Sequence, residues 1–434
     1  MHIILLSGGS GKRLWPISND VRSKQFIKLF KKDNEDYESM VQRVYRQIRT
    51  VSPRTGITIA TGSSQVSSIR NQLGENVSVC VEPSRRDTCP AILLAAAYLQ
   101  DELHVDREET VAVCPVDPYV DNSYYEAVSA LDTCVQAGTA KLTLMGIEPT
   151  VPSNKYGYII PESADKIANV KAFKEKPGVE TAREYIRTGA LWNAGVFAFK
   201  LGYIIDMAHK MADFTDYKDL FTKYETLEKI SFDYGVVEKE PSIQVVRYAG
   251  EWKDVGTWNM MSEVMSDYTK GNVTLDETCV NTHVINELEI PVLCMGCKNM
   301  VVAASGDGIF VADKERSGAM KSYVEKISTD IHYAEKSWGT YSVIDAQQGA
   351  VTIKANLYAG RKMSYHRHEF RDEVWTVLSG EGIVTVDGME QTVRPGDVVT
   401  IAAGCKHTIE AKTDMQLIEI QVGKVIDVAD KAVF

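Results

Sequence analysis

Short apolar runs separated by stretches of helical spacing organise the first 265 residues. Ile3-Ile4-Leu5-Leu6, Gly56-Ile57-Thr58-Ile59-Ala60 and Val111-Ala112-Val113-Cys114 read as buried strands, and the alanine-rich run from Pro90 to Leu99 reads as a helix. This alternation predicts an α/β fold, a mostly parallel sheet with helices on both faces. Ligands bind such sheets beyond the carboxyl ends of the strands, so the glycine-rich loop after Leu6 and Asp117, which follows a second strand, can share one edge. From about 266 to 330 the pattern shortens. Thr282-His283-Val284-Ile285, Pro291-Val292-Leu293-Cys294, Met300-Val301-Val302-Ala303 and Gly308-Ile309-Phe310-Val311 alternate with Gly, Asn and Asp, which predicts short strands with little helix. Residues 331–434 return to strands and turns. Val374 to Leu378, Gly382 to Val386 and Val398 to Ile401, with a hairpin signal at Asp387-Gly388, predict a small all-β barrel or jelly roll.

A chain of 434 residues exceeds one ordinary core, in keeping with three regions, 1–265, 266–330 and 331–434. The net charge of −11 argues against a general nucleic-acid or anionic-membrane surface. No stretch has the apolar length to span a bilayer, and Met1-His2 leads into a strand rather than a signal peptide, so a cytoplasmic protein is expected. Eight scattered cysteines, several in apolar runs, read as reduced core residues. Cys294 and Cys297 form a lone CxxC with no second pair nearby, and a zinc or redox role is set aside.

The loop Ser7-Gly8-Gly9-Ser10-Gly11-Lys12-Arg13 joins three glycines to two cations. Glycine lets backbone N–H groups turn toward an anion, and the cations add full charge, so the loop suits a triphosphate. A Walker A loop is excluded because Leu6 stands at its first glycine and Arg13 follows the lysine. Leu14 stands where a dinucleotide fingerprint needs glycine. Arg22-Ser23-Lys24 adds a second cationic cluster. The competing reading is a glycine-rich turn with solvated lysines.

The loop, read on through Leu14-Trp15-Pro16 to Lys24-Gln25-Phe26, resembles the sugar-1-phosphate nucleotidylyltransferases, and among them the mannose-1-phosphate guanylyltransferases. Matching motifs follow in the family's order. They are Glu82-Pro83 with Arg86-Asp87-Thr88, Pro115-Val116-Asp117, Tyr156-Gly157-Tyr158, Phe173-Lys174-Glu175-Lys176-Pro177, Trp192-Asn193-Ala194-Gly195, Phe232-Asp233-Tyr234 and Trp252-Lys253-Asp254-Val255-Gly256. The resemblance implies a Rossmann-like nucleotidyltransferase domain followed by a short β-helical segment. It also implies GTP and a sugar 1-phosphate as substrates. Arg13 and Lys24 would clamp the triphosphate, with Gly8, Gly9 and Gly11 as backbone donors. Asp117 and Asp254 would hold Mg²⁺, an ion that prefers one or two carboxylates plus substrate phosphates. Glu175 and Lys176 would meet the sugar hydroxyls and phosphate, with Gly157, Asn193 and Gly195 lining the sugar pocket. Leu6, Glu82, Arg86, Asp87 and Thr88 would border the base and ribose. Three positions depart from the pattern: Ser23 replaces a usual proline, Asp87 a usual asparagine and Pro118 a usual histidine.

The last region carries three of the chain's eight histidines in one pattern: His366, His368 and, further on, His407, with Glu373 between them. Two histidines two apart on a strand point the same way. With the carboxylate and the later histidine they can close a site for Zn²⁺, Fe²⁺, Mn²⁺, Co²⁺ or Ni²⁺. The spacing of these residues with Gly360, Gly380, Gly396 and Gly404 also resembles a cupin signature, the jelly-roll fold, with Ala402 and Ala411 in place of its usual proline and asparagine. Trp338-Gly339, Ser364, Arg371, Trp375 and Ile418 to Gln421 resemble the cupin of type II phosphomannose isomerases. Yet His366 stands for their usual glutamine, Glu369, Phe370 and Val374 replace usual histidines, and those isomerases usually continue beyond the position of Phe434. The expected activity is therefore conversion of mannose 1-phosphate and GTP to GDP-mannose and pyrophosphate. The alternatives are a cupin-based mannose-6-phosphate isomerase, the same transfer with another sugar or base, and a non-enzymatic nucleotide sensor. A homo-oligomer is expected by analogy with barrels that pair along exposed strands.

Overall fold

A computed structural model describes the whole chain except residues 10, 33, 328–330 and 428–429. The chain groups into two compact units. One comprises residues 1–9, 28–66 and 76–256, and the other residues 10–27, 67–75 and 257–434.

The first unit is built on a nine-stranded sheet. Its strand order is Ser78–Glu82, Gly56–Gly62, His2–Leu6, Thr110–Pro115, Leu191–Lys200, Leu142–Ile147, Ile243–Tyr248, Ile167–Lys174 and Tyr158–Pro161. His2–Leu6 runs parallel to both its neighbours, and Leu191–Lys200 and Ile167–Lys174 run against theirs. The mostly parallel α/β sheet expected from the apolar pattern is present, with these two reversals. Continuous burial explains the continuous apolar runs: Ile3, Ile4, Leu5 and Val111 to Cys114 are all within 1% of full burial. The helix Thr88–Asp101 is buried from Cys89 to Ala97, and the Asp87 carboxylate caps its start by accepting from Thr88 N at 2.7 Å. The Cys80 and Cys114 thiols lie in this core, and burial pushes both up to about 12, so neither is a thiolate at neutral pH. All eight cysteines are free thiols.

In the second unit, Thr269–Lys270, His283–Asn286 and Met300–Ser305 pair in parallel, and Gly308–Asp313 returns antiparallel. Val273–Leu275 pairs in parallel with Val292–Cys294. Short strands with little helix are what the sequence pattern of this segment predicts. Two antiparallel sheets follow. The larger has the order Tyr333–Lys336, Gly339–Gln347, Ala350–Leu357, Met415–Gly423, Arg371–Ser379, Val398–Ile401. The smaller has the order Met389–Val393, Gly382–Val386, His407–Ala411, His366–Arg367, Ala432–Val433. Their shared core is a cluster around Trp375, Val377, Val384, Ile401, Ile409 and Leu417. This is the predicted jelly roll. No helix among the described residues is long and apolar enough to cross a membrane.

Candidate active site and metal centre

A cleft of about 210 Å³ opens in the first unit, lined by Pro115, Asp117, Pro118, Lys155, Tyr156, Gly157, Glu175, Asn193, Ala194, Gly195, Trp252 and Asp254. Six residues singled out from sequence meet in it, although they come from five separated segments. The chain leaves the strand Thr110–Pro115 and turns at Val116, whose N–H donates to the Leu6 carbonyl at 3.3 Å. It then forms a two-stranded antiparallel ribbon, Pro118–Val120 against Trp252–Asp254, in which Asp254 is paired with Pro118. That register places Asp254 beside Asp117.

The opposite wall is built by backbone geometry. Asn193 N–H donates to the Gly157 carbonyl at 2.8 Å, and the strand Leu191–Lys200 bulges between Asn193 and Phe197. Gly195 sits at φ 68° in this bulge, a conformation favouring glycine, and its N–H donates to Asn193 Oδ1 at 3.0 Å. Asn193 Nδ2 donates to Asp233 Oδ1 at 2.6 Å, which fixes the amide. Burial, with the Glu175 charge nearby, pushes Asp233 up to about 6. Gly157 is required by space. A Cβ there would collide with Glu175 Oε2 and come within 2.9 Å of the Phe173 ring. The Glu175 side chain is only 5% exposed, and its carboxylate pairs with Lys176 Nζ at 2.5 Å. Sequence reasoning did not assign site roles to Tyr156 and Trp252. Their rings lie 5.4 Å apart and form an aromatic wall with Trp192, which is 4.8 Å from Tyr156. The signal was present, because Trp252 is two residues from Asp254 on one strand and so shares its face.

The base and ribose candidates are engaged elsewhere. Glu82 accepts from Tyr224 OH at 2.8 Å, and Thr88 Oγ1 accepts from Phe232 N–H at 2.9 Å. Arg86 donates to the Leu227 carbonyl at 2.8 Å and to Glu225 at 2.6 Å. Asp87 caps its helix at φ 67°. Leu6 ends the strand His2–Leu6. Gly8 and Gly9 follow it, Gly9 at φ 118°, and a Cβ at either would meet nothing within 4 Å, so conformation rather than space calls for glycine at 9. In the second unit, Arg13 is exposed in the 3₁₀ turn Gly11–Leu14, and Lys24 is half-buried in the 3₁₀ turn Lys24–Phe26. The cationic cluster around Lys24 is smaller than the sequence suggests. Arg22 is 4% exposed and its guanidinium grips Glu287 at 2.8 and 3.1 Å, so that charge holds the fold together.

The histidine pattern of the second unit also closes. His366 is paired with His407 across two strands, and the ring nitrogens of His366, His368 and His407 lie within 4.8 Å of one another. Each Nδ1 meets a backbone carbonyl: Ser364 at 2.7 Å, Asp430 at 2.9 Å and Cys405 at 3.0 Å. A carbonyl only accepts, so each Nδ1 carries the proton and each Nε2 keeps its lone pair. Glu373 lies 3.2 Å from His368 Nε2 and 3.3 Å from His407 Nε2. All four residues are at most 4% exposed. Burial lowers His366 to about 3, leaving it neutral, the form that binds metal. His407 Nε2 is buried with no hydrogen-bond partner, and a lone pair facing a carboxylate calls for a cation between them. The donor set therefore fits a transition metal. Arg371 donates to His368 Nε2 at 3.0 Å and to Glu373 at 3.2 Å, so its guanidinium engages a lone pair and a carboxylate that a metal ion would use.

An α/β sheet with a carboxylate-bearing cleft at its strand ends, joined to a jelly roll with a buried histidine cluster, defines a nucleotidyltransferase–cupin chain. The chain belongs to the nucleotidyl transferase family, which matches residues 2–271, and a cupin domain matches residues 354–421. It is similar to the mannose-1-phosphate guanylyltransferase ManC of Salmonella typhimurium, at 28% identity over 99% of this chain and 96% of that protein. The xanthan biosynthesis protein XanB of Xanthomonas campestris pv. campestris is 29% identical over 97% of this chain and 95% of its own. Among solved structures, one described as a mannose-1-phosphate geranyltransferase from Thermus thermophilus superposes with a TM-score of 0.61 at 28% identity. The match covers 75% of this chain and 98% of that one.

Proposed function

We propose that the chain forms GDP-mannose and pyrophosphate from mannose 1-phosphate and GTP. One observation carries this reading: Asp117 and Asp254 share a cleft with Gly157, Glu175, Asn193 and Gly195. A phosphate oxygen of the sugar 1-phosphate attacks the α-phosphorus of the nucleotide, and the bond from that phosphorus to the β-phosphate bridging oxygen breaks. No protein nucleophile is needed. The barrier is electrostatic, since two anions must meet and charge grows on the leaving group. Asp117 and Asp254 would hold Mg²⁺, which supplies that charge compensation. Arg13 and Lys24 assist along the triphosphate, with backbone donors from Gly8, Gly9 and Gly11. Glu175 and Asn193 orient sugar hydroxyls, Lys176 takes the sugar phosphate, and Tyr156 and Trp252 cover the apolar face of the hexose. Leu6, Glu82, Arg86, Asp87 and Thr88 border the base, Arg86 by exchanging Glu225 for the nucleotide. Pyrophosphate release measured across four nucleoside triphosphates and a panel of hexose 1-phosphates tests the assignment. The reading expects GTP with mannose 1-phosphate to be the fastest pair, and a faster alternative pair would reassign the substrate.

The assembled His366, His368, Glu373 and His407 cluster favours a second, metal-dependent reaction in the cupin, with Zn²⁺ a fitting occupant. Interconversion of fructose 6-phosphate and mannose 6-phosphate without GTP is its test.

A further inference from the structure

A second pocket, of about 550 Å³, lies in the other unit, away from the cupin histidines in sequence. It is lined by residues of the segments 259–268, 281–283, 299 and 314–315. This volume falls within the range of about 300–1,000 Å³ usual for ligand sites. Two of its lining residues are buried polar groups that the fold does not use up. Lys314 is 7% exposed and donates to Asn281 Oδ1 at 2.6 Å, and Asn281 in turn donates to Asn299 at 2.8 Å. His283 is 5% exposed, and its Nδ1 is buried with no hydrogen-bond partner. Burying such groups is unfavourable unless something satisfies them. The Tyr268 ring lies 4.6 Å from the His283 ring, and the residue is 58% exposed, so it brings accessible aromatic surface to the pocket lining. Glu263, Asp267 and Glu315 also line it.

The charges select the ligand. A buried ammonium disfavours a cation, and three carboxylates against one lysine disfavour a phosphate or carboxylate. Burial and the Lys314 charge hold His283 down at about 4, so the imidazole is neutral and offers both a donor and an acceptor. A hydroxyl both donates and accepts, which matches an ammonium, a neutral imidazole and side-chain amides set together. We propose that this pocket binds a neutral polyhydroxylated ligand, a sugar of one or two rings, stacked on Tyr268 and hydrogen-bonded to Lys314 and His283. This site is separate from the transferase reading and does not depend on it.

Calorimetric titration of the full chain with mannobiose, maltose and mannose 1-phosphate tests it. Wild type, Tyr268→Ala, Lys314→Met and Asp117→Asn are compared, each checked by thermal melting. At least one neutral disaccharide binds saturably. Its Kd rises at least tenfold in Tyr268→Ala and in Lys314→Met and is unchanged in Asp117→Asn. If Lys314→Met does not fold, the rim substitution Tyr268→Ala decides. The proposal is overturned if neither disaccharide binds, or if binding survives Tyr268→Ala. It is equally overturned if binding disappears in Asp117→Asn, or if mannose 1-phosphate binds with an affinity that falls in Lys314→Met.

Discussion

Asp254 reaches Asp117 through a strand register: it pairs with Pro118, the residue after Asp117, across a two-stranded ribbon. The two carboxylates are 137 positions apart in sequence, and the ribbon makes them neighbours at the mouth of one cleft. A slip of one residue would turn Asp254 to the other face, so the ribbon itself is part of the site.

The Gly157 wall can be tested by adding one methyl group. In Gly157→Ala the Cβ collides with Glu175 and presses on Phe173, two groups already packed. Overpacking of this kind costs about 1–3 kcal/mol. The expected outcome is a lower melting temperature together with a KM for the sugar 1-phosphate raised about tenfold or more. An unchanged KM would show that Glu175 does not line the sugar site.

Much of the cleft was legible in the sequence because its parts are short motifs placed at strand ends. Asp117, Gly157, Glu175, Asn193, Gly195 and Asp254 each follow or interrupt an apolar run, where an α/β sheet exposes residues to a ligand. The partners of Arg86, Glu82 and Thr88 were not legible. Glu225, Tyr224 and Phe232 lie more than 130 residues further along, and nothing local announces them. Arg22 misled for the same reason, since its partner Glu287 belongs to a distant segment. In the cupin, the ligand types could be read from spacing. The carbonyls that fix each histidine tautomer and the guanidinium of Arg371 against His368 could not.

His407→Ala should empty the metal centre. Removing one of three imidazoles from a four-ligand set leaves too few donors for tight binding. Metal analysis of purified protein is expected to find about one transition-metal ion per wild-type chain and less than a tenth of that in the variant. Equal metal content in both would place the ion elsewhere.

Stability should depend on pH through His2. Burial lowers this histidine from 6.5 to about 4, and its Nε2 lies 2.9 Å from Thr58 Oγ1. Below pH 6.5 the unfolded chain binds the proton and the folded chain does not. The stabilisation is therefore complete above pH 6.5 and is lost as pH falls toward 4, by up to about 3 kcal/mol. Asp233 acts in the opposite sense between about 6 and 4, because its raised carboxyl favours the protonated folded form. Thermal melts at pH 7.5 and 4.5 should differ less in His2→Gln than in wild type. An equal difference would remove His2 from the acid response.

Pyrophosphate release from GTP and mannose 1-phosphate, with and without Mg²⁺, in wild type, Asp117→Asn and Asp254→Asn bears most directly on the transferase site. Wild type should turn over only with the metal, and each variant should lose at least about 10²-fold in rate while keeping its circular dichroism. Turnover near the wild-type rate in either folded variant would contradict a site built on this pair of carboxylates.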